Sequence, residues 1–294
     1  VPVNLVLGFI LAVGCGLAAV VFVELLDDGL ITSDDVQQKL GLPMLGTVPL
    51  MMSVADRKDR RMAPTDYLLH RPLSAFAEAF RTLRTSIMYA KLGSAAKVIV
   101  VTSALPGEGK TTTAVCLAIS AAQAGLKVVI VDCDIRRRNV SRLLGVEADR
   151  GLLDVLDGSA SLGEVLLKGE ASGAWVLPTA KREFTPREVF NTPEMASLLK
   201  QLRDDFDMVI LDTAPVLAVA ETRVLASQAD AVMFLTRWRK TPAKAAEAGL
   251  RALEQSEATV AGAVLTQVDM QEQARYGYGD PGYYYSASKA YYTS

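Results

Sequence analysis

The chain has 294 residues, half of them hydrophobic, which is enough to bury at least one large core and excludes a disordered or collagen-like polymer. Its 31 basic and 33 acidic residues nearly cancel, so no global positive field exists to hold nucleic acid by phosphate neutralisation, and nucleic acid is not expected as a partner. Cys15, Cys116 and Cys133 form no C-x-x-C pair and the single histidine, His70, has no ligand cluster around it, which excludes a disulfide scaffold, a zinc site and a His-dependent triad.

The chain opens on Val rather than Met, inside a hydrophobic run, and reads as part of a longer protein. Residues 1–23 carry no charge and, as a helix, would reach roughly 34 Å, so a transmembrane helix is expected there. Gly8, Ala12 and Gly16 fall four apart on one face of it, the spacing that lets membrane helices approach closely. Residues 24–73 read as a juxtamembrane segment and linker. Glu24, Asp27, Asp28, Asp34 and Asp35 precede the first basic residue, Lys39, so the flank gives no positive-inside signal. The basic-biased run at 56–61 (DRKDRR) is either a solvated linker or a headgroup contact.

From 74 to 93 the pattern turns helical, with Phe76, Phe80, Leu83 and Ile87 on one stripe and Glu78, Arg81 and Arg84 on the polar side. Short apolar runs follow at 97–102, 127–132, 206–212, 231–236 and 260–268, most of them rich in β-branched residues, as strands buried on both faces should be. Helical stretches at 110–124, 193–204, 219–228 and 243–256 separate most of them. That alternation predicts an α/β fold, a mainly parallel sheet with helices on both sides, over 74–270. Residues 271–294 form a tail whose 276–292 stretch holds seven of the nine tyrosines among glycines, and it has no means of folding alone.

Directly after the first of these strands comes SALPGEGKTT, with a helix behind it, the context a P-loop requires. Pro106, Gly107, Glu108, Gly109, Lys110, Thr111 and Thr112 are the predicted nucleotide-binding residues: glycines let N–H groups curl round phosphates, Lys110 reaches the outer phosphates and the Thr111 hydroxyl can hold Mg²⁺. The second strand ends in Asp132 and Asp134, two residues apart and so facing the same way, at the sheet edge where such folds bind ligands. One can serve the metal and the other accept a proton, and the two can exchange roles. Cys133 between them reads as a small filler. A third run ends in Asp212, the Walker-B arrangement for the metal shell.

These residues resemble the bacterial tyrosine kinases, P-loop enzymes fused to or paired with polysaccharide co-polymerase membrane proteins. The resemblance rests on the Walker A at 104–111, the second acidic motif at 129–136 (VIVDCDIR) and the Walker B at 208–213. It implies ATP and Mg²⁺ as cofactors, Lys110, Asp132, Asp134 and Asp212 as catalytic residues, and Thr111, Asp132 and Asp212 at the metal. It implies autophosphorylation of Tyr276, Tyr278, Tyr283, Tyr284, Tyr285, Tyr291 and Tyr292 between subunits of a homo-oligomeric ring joined through Glu78, Arg81 and Arg84. The implied setting is the inner membrane with the kinase facing the cytoplasm, and the implied partners are polysaccharide polymerisation and export machinery and a cognate tyrosine phosphatase. Two departures stand out: Ala214 replaces the first of two prolines after the Walker-B threonine, and Thr266 replaces an Asn commonly near the base. The competing readings are a partitioning or cell-division ATPase, whose signature lysine position is Leu105 here, and a non-catalytic assembly regulator controlled by nucleotide.

Overall fold

The five apolar runs lie side by side in one sheet. In the computed structural model, which describes residues 8, 11–16, 29–90, 96–180 and 188–274, they are β2 (Val98–Ser103), β3 (Val128–Asp132), β6 (Met208–Asp212), β7 (Ala231–Arg237) and β8 (Val260–Val268). The full sheet has eight strands in the order β1-β8-β7-β2-β6-β3-β5-β4, every pairing parallel except β4 with β5. Residues two apart in each strand go to one face. Val98, Val100, Val129, Val131, Val209 and Leu211 pack into one core, and Ile99, Val101, Val128, Ile130, Met208 and Ile210 into another. A strand apolar at every position is thus the strand of a sheet covered on both sides.

One face is covered by α1 (Ser33–Leu40), α7 (Leu152–Leu156), α8 (Leu162–Val165), α9 (Pro193–Asp205), α10 (Glu221–Gln228) and α11 (Ala243–Glu254). The other carries α3 (Pro64–His70), α4 (Ala75–Met88), α5 (Lys110–Gln123) and α6 (Asn139–Leu144). Helix α4 begins where Ser74 Oγ accepts the Ala77 N–H at 3.2 Å, and its predicted stripe, Phe76, Phe80, Leu83 and Ile87, is buried. β2 sits between β6 and β7, so the chain leaves it toward β3 on one side and later crosses to β7 on the other. That reversal opens a crevice at the strands' C-terminal ends, where open α/β sheets bind ligands.

The stretch expected to be juxtamembrane and linker contributes to the sheet. β1 (Met44–Pro49) pairs parallel to β8, followed by α2 (Met51–Val54) and α3, in which Tyr67 and Leu68 are buried. Its signal is weak because β1 is an edge strand, where Pro49 costs no ladder bond, and because Pro64 begins α3 at its first turn instead of breaking it. β8 makes room for it at Gly262, where an added Cβ would fall 2.4 Å from the Pro43 carbonyl. β4 (Leu167–Lys168) and β5 (Trp175–Leu177) are too short to show a period. The short α12 (Met270–Gln273) closes the described part. Of the expected membrane span, residues 8 and 11–16 are described and helical; among the described residues no helix is long and apolar enough to cross a membrane. The tyrosines at 276–292 lie outside the described residues.

Candidate active site

β2 ends at Ser103, the chain loops through 104–109, and α5 starts at Lys110. Gly107 and Gly109 hold φ of 81° and 86°, a region open to glycine at no steric cost, and Gly109 is the N-cap of α5. The loop therefore presents backbone N–H groups at a helix N-terminus, as phosphate binding requires. Lys110 is buried, with Nζ 3.0 Å from Ser103 Oγ and 3.4 Å from the Leu105 carbonyl. Burial pulls its ammonium below the ordinary lysine range, while Asp212, Glu108 and Asp134 oppose the shift. Thr111 and Thr112 lie half-buried in the first turn of α5, and Pro106 is exposed at the loop's tip.

Glu108 does not offer its side chain to a ligand. Its buried carboxylate accepts the Leu105 N–H at 2.7 Å and the Thr241 hydroxyl, so only its backbone remains for phosphate. Thr266 and Gln267, at the end of β8, touch the same loop through the carbonyls of Glu108 (2.8 Å) and Gly107 (2.9 Å). The Thr266 hydroxyl is thus committed to the P-loop and to the Thr236 carbonyl, the latter at 3.1 Å. Thr241 and Gln267 are absent from the sequence-predicted site; the available signal is their place at the C-terminal edge of the sheet, Thr241 four residues past β7 and Gln267 next to last in β8.

Asp132 and Asp212 are the last residues of neighbouring strands and stand directly opposite each other in the ladder. Both are fully buried. Asp132 Oδ2 accepts the Val140 N–H at 3.3 Å, and Thr179 Oγ fixes its carbonyl at 2.6 Å. Burial pushes its carboxyl up to about 7. Asp212 is pushed well above the carboxylate range by burial and then by Asp132; Thr111 and Lys110 are the neighbours that favour its charge. Asp132 Oδ1 and both Asp212 oxygens have no hydrogen bond of ordinary geometry. Buried, unpartnered carboxylate oxygens beside a threonine hydroxyl fit a hydrated Mg²⁺, which typically takes one or two carboxylates and completes its shell with water and phosphate. Among the described residues no cluster of three or more His, Cys, Asp or Glu would hold a metal by protein ligands alone.

Asp134 sits two residues beyond β3, its carbonyl capped by the N–H groups of Arg137 and Arg138 at 2.9 and 3.0 Å. It lines a narrow cleft with Arg136, Phe190, Glu221 and Leu225. Cys133 is buried, and burial followed by the three aspartates raises its thiol far above the reactive range, which suits a filler. The structure thus gathers the P-loop, Asp132, Asp134 and Asp212 at one edge. It leaves Glu78, Arg81 and Arg84 on α4, packed against the sheet's flank. There Arg81 pairs with Glu78 at 2.6 Å and bonds the Pro72 carbonyl, while Arg84 donates to the Ser120 carbonyl on α5 at 2.7 Å.

A model of the AAA domain matches residues 96–267, more than half of the chain. Tyrosine-protein kinase YwqD of Bacillus subtilis is 31% identical over 227 residues, covering 77% of this chain and 96% of that protein. EpsB of Ralstonia solanacearum is 31% identical over 274 residues, 92% of this chain and 36% of EpsB. Succinoglycan biosynthesis transport protein ExoP of Rhizobium meliloti is 29% identical over 208 residues, 70% of this chain and 26% of ExoP. The chain therefore spans between about a quarter and just over a third of the length of these larger relatives. The solved kinase domain of Escherichia coli tyrosine kinase ETK matches with a TM-score of 0.71 at 28% identity, covering 78% of this chain and 93% of that one. With a P-loop, two later strand-end acidic sites and these likenesses in sequence and fold, the chain belongs to the bacterial tyrosine kinases and carries their AAA domain.

Proposed function

We propose that this chain is the catalytic part of a membrane-anchored tyrosine autokinase that transfers the γ-phosphoryl group of ATP to its own C-terminal tyrosine cluster. The observation that carries the reading is the convergence of Lys110, Asp132, Asp134 and Asp212 at the head of α5, with three carboxylate oxygens buried and unpartnered. Phosphoryl transfer needs positioning and charge neutralisation more than covalent chemistry, and this set provides both. The N–H groups from Gly107 to Thr112 hold the phosphates, and Lys110 turns from Ser103 to the outer ones. Thr111, Asp132 and Asp212 would hold Mg²⁺, which when bound supplies charge neutralisation at the phosphates. Asp134 orients the tyrosine hydroxyl and takes its proton. A phenol with pKa about 10 is mostly neutral at pH 7, so a carboxylate acceptor is useful.

ATP is cytoplasmic, so everything after residue 23 would face the cytoplasm, with 1–23 crossing the inner membrane. A tail on one subunit can reach its neighbour's site, and Glu78, Arg81 and Arg84 would join the subunits. Phosphates added to adjacent tyrosines repel and would loosen the ring. ExoP, a relative named for succinoglycan transport, supports the reading that this cycle controls exopolysaccharide polymerisation and export, with a tyrosine phosphatase resetting it. Replacing the seven tail tyrosines with Phe tests the acceptor assignment: phosphotyrosine should nearly vanish while nucleotide binding is unchanged. Label persisting at wild-type level would move the acceptor to Tyr89, which is 80% exposed, because Tyr67 is buried.

A further inference from the structure

Two consecutive residues at the end of β8 reach the same loop, which a regular strand forbids because its side chains alternate between faces. The exception is a bulge. β1 pairs Thr47 with Leu265 and then Pro49 with Val268, so β8 takes three steps where β1 takes two. Gln267, inside that bulge, has φ of 54°, an uncommon conformation for a residue with a side chain. The result is that Thr266 Oγ donates to the Glu108 carbonyl at 2.8 Å and Gln267 Nε2 to the Gly107 carbonyl at 2.9 Å. The approach is close: a Cβ on Gly109 would lie 3.4 Å from Gln267 Nε2 and 3.7 Å from Thr266 Oγ.

A trans peptide points its C=O and its N–H in opposite directions. Fixing the carbonyl of Gly107 outward on β8 therefore turns the N–H of Glu108 inward, and fixing that of Glu108 turns the N–H of Gly109 inward. Thr241 adds a third tie by holding the Glu108 carboxylate from the loop after β7. We infer that Thr266 and Gln267 form a clamp that pre-aims the Glu108 and Gly109 N–H groups at the nucleotide phosphates, making both of them positioning residues for phosphate binding. The backbone strain at Gln267 is then part of the site, stored where it orients a donor. This rests on the nucleotide-binding reading above.

The test is calorimetric titration of Mg-ADP into the purified chain and its variants, with thermal midpoints measured without nucleotide. Gln267→Gly accepts a positive φ without strain and removes the side chain that carries the amide, so it should melt at or above the wild-type temperature yet bind ADP about tenfold more weakly. Gln267→Asn, which also tolerates this backbone but falls short of the carbonyl, should weaken binding similarly. Thr266→Ser should match wild type and Thr266→Val should lose about fivefold. In the kinase assay the KM for ATP should rise in Gln267→Gly with kcat changed less than twofold, since the clamp serves ground and transition states alike. Wild-type ADP affinity in Gln267→Gly and Thr266→Val would overturn the clamp alone, whereas wild-type protein that binds no ADP would overturn the nucleotide reading and the clamp with it.

Discussion

Lys110 keeps its ammonium in a setting where burial works against the charge, Asp212, Glu108 and Asp134 favour it, and Ser103 and the Leu105 carbonyl accept its hydrogen bonds. Replacing it by Met removes a phosphate contact without opening a core cavity. Lys110→Met should therefore lose tail phosphorylation while its unfolding free energy stays within about 1 kcal/mol of wild type, read by chemical denaturation. Asp212 is the mirror case. Its unpartnered oxygens beside Asp132 cost stability until a cation arrives, so Asp212→Asn should raise the thermal midpoint in chelator yet lose the extra stabilisation that Mg-ADP gives wild type. An unchanged midpoint together with intact Mg-ADP stabilisation would remove Asp212 from the metal shell. Asp132 and Asp212 were legible in the sequence because each ends an apolar strand run, and Lys110 because the P-loop fixes its place after the glycines. The contacts of Glu108 with Thr241 and of Gly107 with Gln267 were not, because they join residues 133 and 160 positions apart and follow no spacing rule.

Among the elements, those that announce themselves are buried on both faces or amphipathic over several turns, as β2, β6 and α4 are. β1 hides because it is an edge strand flanked by prolines, and its partner β8 tells of it only through Gly262. Helix α4 also separates two arginines that look equivalent in the motif. Arg84 bridges α4 to α5 through the Ser120 carbonyl, whereas Arg81 pairs with Glu78 at the surface. Arg84→Ala should destabilise the isolated subunit by about 1 kcal/mol and Arg81→Ala by a few tenths, measured by urea denaturation at a concentration where the protein is monomeric. Combining the two should also disperse the proposed oligomer and lower tail phosphorylation, seen by sedimentation beside a phosphotyrosine blot. A monomeric double variant that labels its tail at full rate, whatever its concentration, would rule out transfer between subunits.

Across the whole molecule, β2 and β7 are clasped at their N-terminal ends, opposite the site. Asp230 accepts the N–H groups of Lys97 and Val98 at 2.9 and 2.7 Å and pairs with Arg203 of α9 at 3.0 Å. Burial alone would raise its carboxyl, but these donors outweigh it and hold it below the ordinary aspartate value. A carboxyl lowered in the fold stabilises above its unfolded value and loses that contribution as pH falls through the folded one. Asp230→Ala should thus cost about 1–3 kcal/mol at pH 7 and progressively less below about pH 4, a convergence visible in denaturation curves taken across that range. A gap that stays constant with pH would mean that packing, not charge, is what Asp230 supplies.

With that end of the sheet fixed, the other carries the proposed phosphoryl transfer to tyrosine. The most direct measurement is mass spectrometry of residues 276–292 after incubating wild-type protein and Lys110→Met with ATP and Mg²⁺ over a dilution series. Phosphotyrosine in wild type that increases with protein concentration, and none in the variant, is the predicted result. Equal labelling of the two, or a wild-type chain that binds ATP and leaves every tyrosine unmodified at all concentrations, would contradict it.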